Sequence, residues 1–152
     1  AEFLKANTTI MELSLAQNSI GSAGAAALAA VLKANRTITF LSLRENDIGD
    51  EGAIALAAAL RENGTLTELY LYENTIGDKG ATALAAALRV NRTIIDVTLF
   101  SNKIGDEGAK ALANSLKGNA ILKNLDLLSN AISITAQNEL NKIPEVKVSM
   151  KF

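Results

Sequence analysis

Histidine, cysteine and tryptophan are all absent from the 152 residues, and only four Phe and two Tyr occur. Without His or Cys the chain lacks the commonest general base, the commonest metal ligand and the thiol nucleophile, and it cannot form a disulfide. Side-chain catalysis is therefore not expected, and neither a cofactor nor a metal is implied. No apolar run is long enough to span a bilayer and no signal peptide is visible. Charge is nearly balanced, with 16 acidic and 15 basic residues. The near-absence of bulky aromatics also means that something else must fill the core, so the places where the six rings fall become informative.

What is present is a repeat. Asn18, Asn46, Asn74, Asn102 and Asn130 follow one another at intervals of 28 residues without a slip. Such a fixed period is the signature of stacked supersecondary units. Each block opens with the pattern LxxLxLxxN, as in Ile10-Met11-Glu12-Leu13-Ser14-Leu15 and Leu66-Thr67-Glu68-Leu69-Tyr70-Leu71. Its second and third apolar residues alternate with variable ones, the period of a short half-buried strand. An Ile-Gly step follows the Asn, and then an alanine-rich stretch such as Gly52 to Leu60, whose helix formers at helical spacing predict a return helix. One repeat is a strand and a helix.

This pattern resembles the leucine-rich repeats of the ribonuclease-inhibitor type, which also occur in NOD-like receptors and Ran GTPase-activating proteins. The resemblance covers nearly the whole chain. It implies an α/β leucine-rich repeat solenoid, a horseshoe with parallel strands on the concave face and helices on the convex face. Ala and Gly let helices lie close to the sheet, while Leu56, Leu60, Leu84 and Leu88 fill the space between the layers. Secreted leucine-rich proteins usually staple their ends with disulfides, so the absence of Cys points to a cytoplasmic protein.

Recurring polar residues have structural readings. The Asn column sits where the strand turns away, and an inward amide there can bond backbone groups that the turn leaves unpaired. Asp50, Asp78 and Asp106, with Ser22 in the first copy, stand just before helices and are expected to cap them. Their acidic side chains disfavour phosphate at the Gly-Asp-Glu-Gly turns, and no GxxxxGK[ST] run occurs. Four Asn-x-Thr sites, at Asn7, Asn35, Asn63 and Asn91, share the 28-residue phase and read as helix-to-strand corners rather than glycosylation sites.

The expected domain is single, over residues 1–152. It comprises a partial first repeat (1–9), full repeats at 10–37, 38–65, 66–93 and 94–121, a shortened repeat at 122–142 and a capping strand at 143–152. Ile143-Pro144-Glu145-Val146-Lys147-Val148 repeats LxxLxL only 21 residues after Leu122, as a terminal cap would. The first block starts inside a repeat, which suggests that the natural protein continues upstream or that Ala1-Glu2-Phe3 is an added end.

With Leu13 and Leu15 inward, positions 12, 14 and 16 face outward, and the register transfers to every copy. One outward column reads Glu12, Phe40, Glu68, Asp96, Asn124; a second Ser14, Ser42, Tyr70, Thr98, Asp126; a third Ala16, Arg44, Tyr72, Phe100, Leu128. Four of the six aromatic residues thus share one face. Exposed rings beside an Arg are what interface hot spots are made of. Phe40, Arg44, Glu68, Tyr70, Tyr72, Asp96, Phe100 and Leu128 are therefore the candidate partner-binding residues. Concave positions hold seven acidic residues (Glu12, Glu45, Glu68, Glu73, Asp96, Asp126, Glu145) against Arg44, Lys123 and Lys147. That balance disfavours nucleic acid. It favours a protein or peptide of basic and apolar character, bound by a monomer that engages no membrane. Glu68 and Asp96 alone, without a further ligand, read as a solvated pair rather than a metal site. The alternatives are a sensor or structural fragment of a receptor-type protein, or a GTPase-activating protein.

Overall fold

The computed structural model describes residues 2–142 and 147–149, with the backbone alone described at 147 and 148. Six strands form one parallel sheet in chain order: β1 (Glu12–Ser14), β2 (Phe40–Ser42), β3 (Glu68–Tyr70), β4 (Asp96–Thr98), β5 (Asn124–Asp126) and β6 (Lys147–Ser149). Helices alternate with them: α1 (Glu2–Ala6), α2 (Gly21–Ala34), α3 (Gly49–Leu60), α4 (Asp78–Leu88), α5 (Asp106–Leu116) and α6 (Ile134–Leu140). Strands stack at about 4.8 Å and helices at about 8–10 Å, so a sheet of strands each tied to a helix must curve with the sheet inside. The register repeats the sequence period, with Glu12, Phe40, Glu68, Asp96 and Asn124 in one row.

The core lies between the two layers. Leu41, Leu69, Val97 and Leu125 point inward from successive strands, and Leu56, Leu84 and Leu112 meet them from the helices, all fully buried. Alanine sets the spacing: Ala53, Ala81 and Ala109 are completely buried where one helix approaches the next. The first full repeat is looser, because among the described residues β1 is an edge strand and only the short α1 precedes it. Leu13 and Leu15 are only half-buried, and Met11 is exposed.

The Asn column stitches each repeat to the one before it. The Asn46 amide oxygen accepts from the Asn18 and Ile20 N–H groups at 3.0 and 3.1 Å, and its amino group donates to the Leu15 and Arg44 carbonyls. Asn74 and Asn102 repeat the pattern. Asn35, Asn63 and Asn91 form a second column at the helix-to-strand corners. Each is buried, accepts two N–H groups of its own turn and donates to carbonyls of the preceding repeat. These amides are structural, and a glycan could not be attached to them without breaking the corner.

Helix capping departs from expectation. Asp50 does not cap α3; its Oδ1 accepts from the Gly77 and Gly80 N–H groups at 2.7 and 2.9 Å, at the start of α4 in the next repeat. Asp78 does the same for Gly105 and Gly108, and Asp106 receives the Ser133 N–H and hydroxyl ahead of α6. Ser22, at the equivalent place in α2, is too short to reach across, and the exchange is visible in the backbone. Where a carboxylate arrives, Gly77 and Gly105 are extended, with φ near −102° and −101°. Where none does, Gly49 turns left-handed at φ +62° and its N–H donates instead to the Asn74 carbonyl of the following repeat. Gly21 behaves like Gly49, bonding the Asn46 carbonyl. We expect Asp50→Ala to lower stability by about 1–2 kcal/mol, the usual cost of a lost cap. Urea midpoints of the two proteins check it, with Ser22→Ala expected to shift nothing.

At the far end the copy of LxxLxL is displaced. Val148 pairs with Leu125, whereas the sequence pattern set it against Leu127. The parity of facing survives a shift of two residues, so the sheet continues without turning over. From Asn124 to its partner Lys147 the step is 23 residues, and α6, with 7 residues against 11 in α5, supplies most of the shortening. The remainder of the expected cap, including Glu145, lies outside the described residues, and so does the Lys147 side chain.

Candidate protein-binding face

Three-residue strands leave little room for outward side chains. The first two outward columns stand on the strands, whereas Arg44, Tyr72, Phe100 and Leu128 follow the strand end. The parallel ladder nonetheless runs on beneath them, through Glu45 N–H to the Tyr72 carbonyl at 3.1 Å and Glu73 N–H to the Phe100 carbonyl at 3.0 Å. The next residue of each repeat then turns left-handed: Gln17, Glu45, Glu73, Ser101 and Ser129 have φ between 53° and 60°. Five non-glycine residues at that conformation mark a fixed bend, since each carries the steric cost of a Cβ there. It aims the ladder Asn inward and closes the rim of the sheet.

All eight candidate residues are half-buried. They fall into two clusters. Phe40 on β2 meets Tyr70 on β3 edge-to-face, with ring centroids 5.1 Å apart at 76°. Between them the sheet presents only Ser42, which is buried and leaves the diagonal open. The second cluster begins with Arg44, whose guanidinium lies 5.1 Å from the Tyr72 ring centroid. Tyr72 in turn meets Phe100 at 6.3 Å and 61°. Such edge-to-face and cation–π contacts hold the rings in place before any partner arrives. Leu128 continues this column beyond Phe100.

Carboxylates surround both clusters. Glu68 and Asp96 are neighbours in register, as expected. The Tyr70 hydroxyl donates to Glu68 at a long 3.4 Å, and Asp96 accepts from the Asn124 amide at 2.9 Å. Partial burial, then the charges of Asp96 and Glu68, push the Tyr70 phenol above its ordinary pKa, so it remains a neutral donor. Arg44 is also paired with Glu45, which accepts from Gln17 at 2.9 Å as well. The Gln17 bond and the Arg44 pairing hold Glu45 below the usual carboxylate range despite some desolvation. Gln17 and Asn124 are the contributors that residue type alone does not single out. Both are neutral amides spending their donors on the acids of the next or previous repeat. Among the described residues no group of three or more possible ligands could hold a metal ion, and no helix is long and apolar enough to cross a membrane.

A curved parallel sheet backed by one helix per 28-residue unit defines a leucine-rich repeat domain. More particularly, the chain belongs to the TMOD/LMOD leucine-rich domain family, whose model matches residues 1–99; a Leucine Rich repeat model matches residues 90–113. Among solved structures it is similar to "Leiomodin-1 Actin-Binding Site 2 (ABS2)", at TM-score 0.81 and 23% identity, over 93% of this chain and 83% of that one. The tropomodulin C-terminal domain of Caenorhabditis elegans superposes at TM-score 0.78 and 16% identity, over 95% of this chain and 88% of that one. At these identities the likeness concerns the fold. A search for similar curated proteins found no match.

Proposed function

We propose that this chain is a non-enzymatic protein-interaction module that takes a polypeptide partner on its concave face. The observation that carries the reading is the Arg44–Tyr72–Phe100 row, three half-buried side chains from consecutive repeats that contact one another in turn. Rings immobilised in advance lose little entropy on binding, the property that makes aromatic residues and Arg hot spots. The carboxylates of Glu68, Glu73 and Asp96 around them suit a partner segment that is basic and partly apolar. Since a solved relative in fold is titled an actin-binding site, actin is the first partner to test.

The 28-residue strand–helix period supports the ribonuclease-inhibitor-type reading of the repeats. Two other readings are a fragment of a larger receptor-type protein and a GTPase activator, and turnover assays with small GTPases test the second.

Tyr72→Ala and Phe100→Ala should each weaken the partner by more than about 1 kcal/mol, roughly fivefold in Kd, with folding nearly intact. Raised salt should weaken binding modestly. Co-sedimentation with filamentous actin and titration against monomeric actin, for the wild type and the double variant, provide the measurement. Actin that ignores the wild type removes actin as the partner. A wild type and double variant that capture identical proteins from lysate would remove the concave face.

A further inference from the structure

The convex side carries a pattern of opposite sign. Lys5, Lys33, Arg61, Arg89 and Lys117 recur at 28-residue spacing, each in the last turn or C-cap of its helix. A cation there offsets the helix dipole, which explains one charge per repeat and nothing more. Lys5 and Lys33 are further neutralised by Glu2 and Glu62 at 2.7 and 2.9 Å. Arg61, Arg89 and Lys117 form no ion pair among the described residues, although Lys117 donates to the Asn114 amide oxygen at 3.0 Å and lines a neighbouring hollow with Glu139.

At two of these three the surface is hollow. A cleft of about 310 Å³ is lined by Arg89, Arg92, Lys117, Ser115, Asn119 and Ile121, with the backbone of the intervening turn and no carboxylate. It shares Arg89 and Ser115 with a second cleft of about 240 Å³ on the outer surface between α4 and α5, floored by Ala85, Ala86 and Ala111. The cause is local sequence: alanine on facing sides of two neighbouring helices leaves a furrow that longer side chains would fill. The carbonyls at the α4 C-terminus, which would repel an anion, are partly covered, because the Arg92 guanidinium donates to the Arg89 and Asn91 carbonyls.

We propose that this α4–α5 furrow is a second recognition site, taking an acidic segment of a protein partner, with carboxylates at the Arg89–Arg92–Lys117 end and apolar side chains on the alanine floor. Charge complementarity selects the occupant. Three cations without a carboxylate among the lining residues favour anions, and the apolar furrow running on from them would be left unused by a free phosphate. The site is independent of the concave face. Together they would let one module hold a basic and an acidic segment on opposite sides.

Titration of the isotopically labelled chain with a short blocked peptide of glutamates and interspersed leucines tests the site by amide chemical shifts. Saturable shifts are expected at Ser115, Gly118, Asn119 and Ala111. Arg89→Glu with Lys117→Glu should raise the Kd more than about tenfold, and Arg89→Lys should restore most of it. Tyr72→Ala should leave it unchanged. Should the double reversal impair folding, as circular dichroism would report, Arg89→Gln with Lys117→Gln carries the same expectation at a smaller factor. The proposal is overturned by the absence of saturable shifts in the furrow, or by a Kd indifferent to both double variants. Displacement of the peptide by inorganic phosphate or by phosphatidylserine vesicles at comparable concentration would also overturn it, because the surface would then be a simple anion or lipid site.

Discussion

Asn74→Ala is expected to lower the unfolding free energy by about 3 kcal/mol or more, among the largest losses available from a single polar side chain in this protein. Asn74 is completely buried, and its amide satisfies four backbone groups at once. Its oxygen accepts from Asn46 N–H at 3.0 Å and Ile48 N–H at 3.2 Å; its nitrogen donates to the Leu43 carbonyl at 2.7 Å and the Tyr72 carbonyl at 3.1 Å. Three of those groups belong to the preceding repeat, so the side chain is a stitch between units. In a solenoid that is where stability resides, since isolated repeats do not fold and neighbour interfaces hold the array together. Each buried backbone group deprived of its partner costs roughly 1–3 kcal/mol, reduced where water can enter the space left by the amide. Asn18→Ala supplies the control. The same residue type at the open end of the array is exposed and donates only to its own Ala16 carbonyl, so the expected loss is below about 1 kcal/mol. Urea titration of both variants decides the matter, and equal losses would mean that the ladder carries no interface energy.

The contrast between Asn74 and Asn18 shows what was legible in the chain. A polar residue returning every 28 positions, always after LxL, fixes the strand, the turn and the facing of every side chain at once. The concave rows of Phe40, Glu68 and Asp96 and of Tyr72 and Phe100 followed from parity alone. Capping was misread because local rules look two or three residues ahead, whereas the groups bonded to Asp50 lie 27 and 30 residues on. Only the stacking distance between helices reveals that the neighbouring repeat is nearer than the residue's own turn. Arg44 and Glu45 both read as concave, but their direct pairing is not legible in the sequence. Adjacent residues in a strand point to opposite faces, and the left-handed turn at Glu45 is what returns its carboxylate to the side of Arg44. At the end of the array, LxxLxL permitted two registers of the same parity, and the length of the connection through α6 selected the one that pairs Val148 with Leu125.

Gly80→Ala, a single added methyl, is expected to cost about 2–4 kcal/mol, combining overpacking with a lost cap. A Cβ built at Gly80 would stand 2.7 Å from Ile76 Cγ2, 2.8 Å from Asp50 Oδ1 and 2.9 Å from Ala53 Cβ, all closer than carbon tolerates. Two of those atoms belong to the preceding repeat, so the methyl would force α4 away from α3 and open the alanine contact between them. One of those two is the oxygen that bonds Gly77 and Gly80 N–H, so the cap would be displaced in the same step. Packing and capping at this corner are therefore coupled, and the coupling can be measured. In an Asp50→Ala background the cap is already gone and one obstacle has been removed. Gly80→Ala should then cost less than it does in the wild type, by about 1 kcal/mol in a double-mutant cycle. Gly64→Ala is the reference, because a Cβ at Gly64 meets nothing within 4 Å; it should be neutral or stabilise by up to about 1 kcal/mol through the unfolded chain. Chemical denaturation of the wild type, the three single variants and the double variant gives the answer. If Gly80→Ala and Gly64→Ala are indistinguishable, helix contact in this solenoid does not depend on glycine; if the cycle closes additively, Asp50 and Gly80 act separately and the carboxylate is a cap alone.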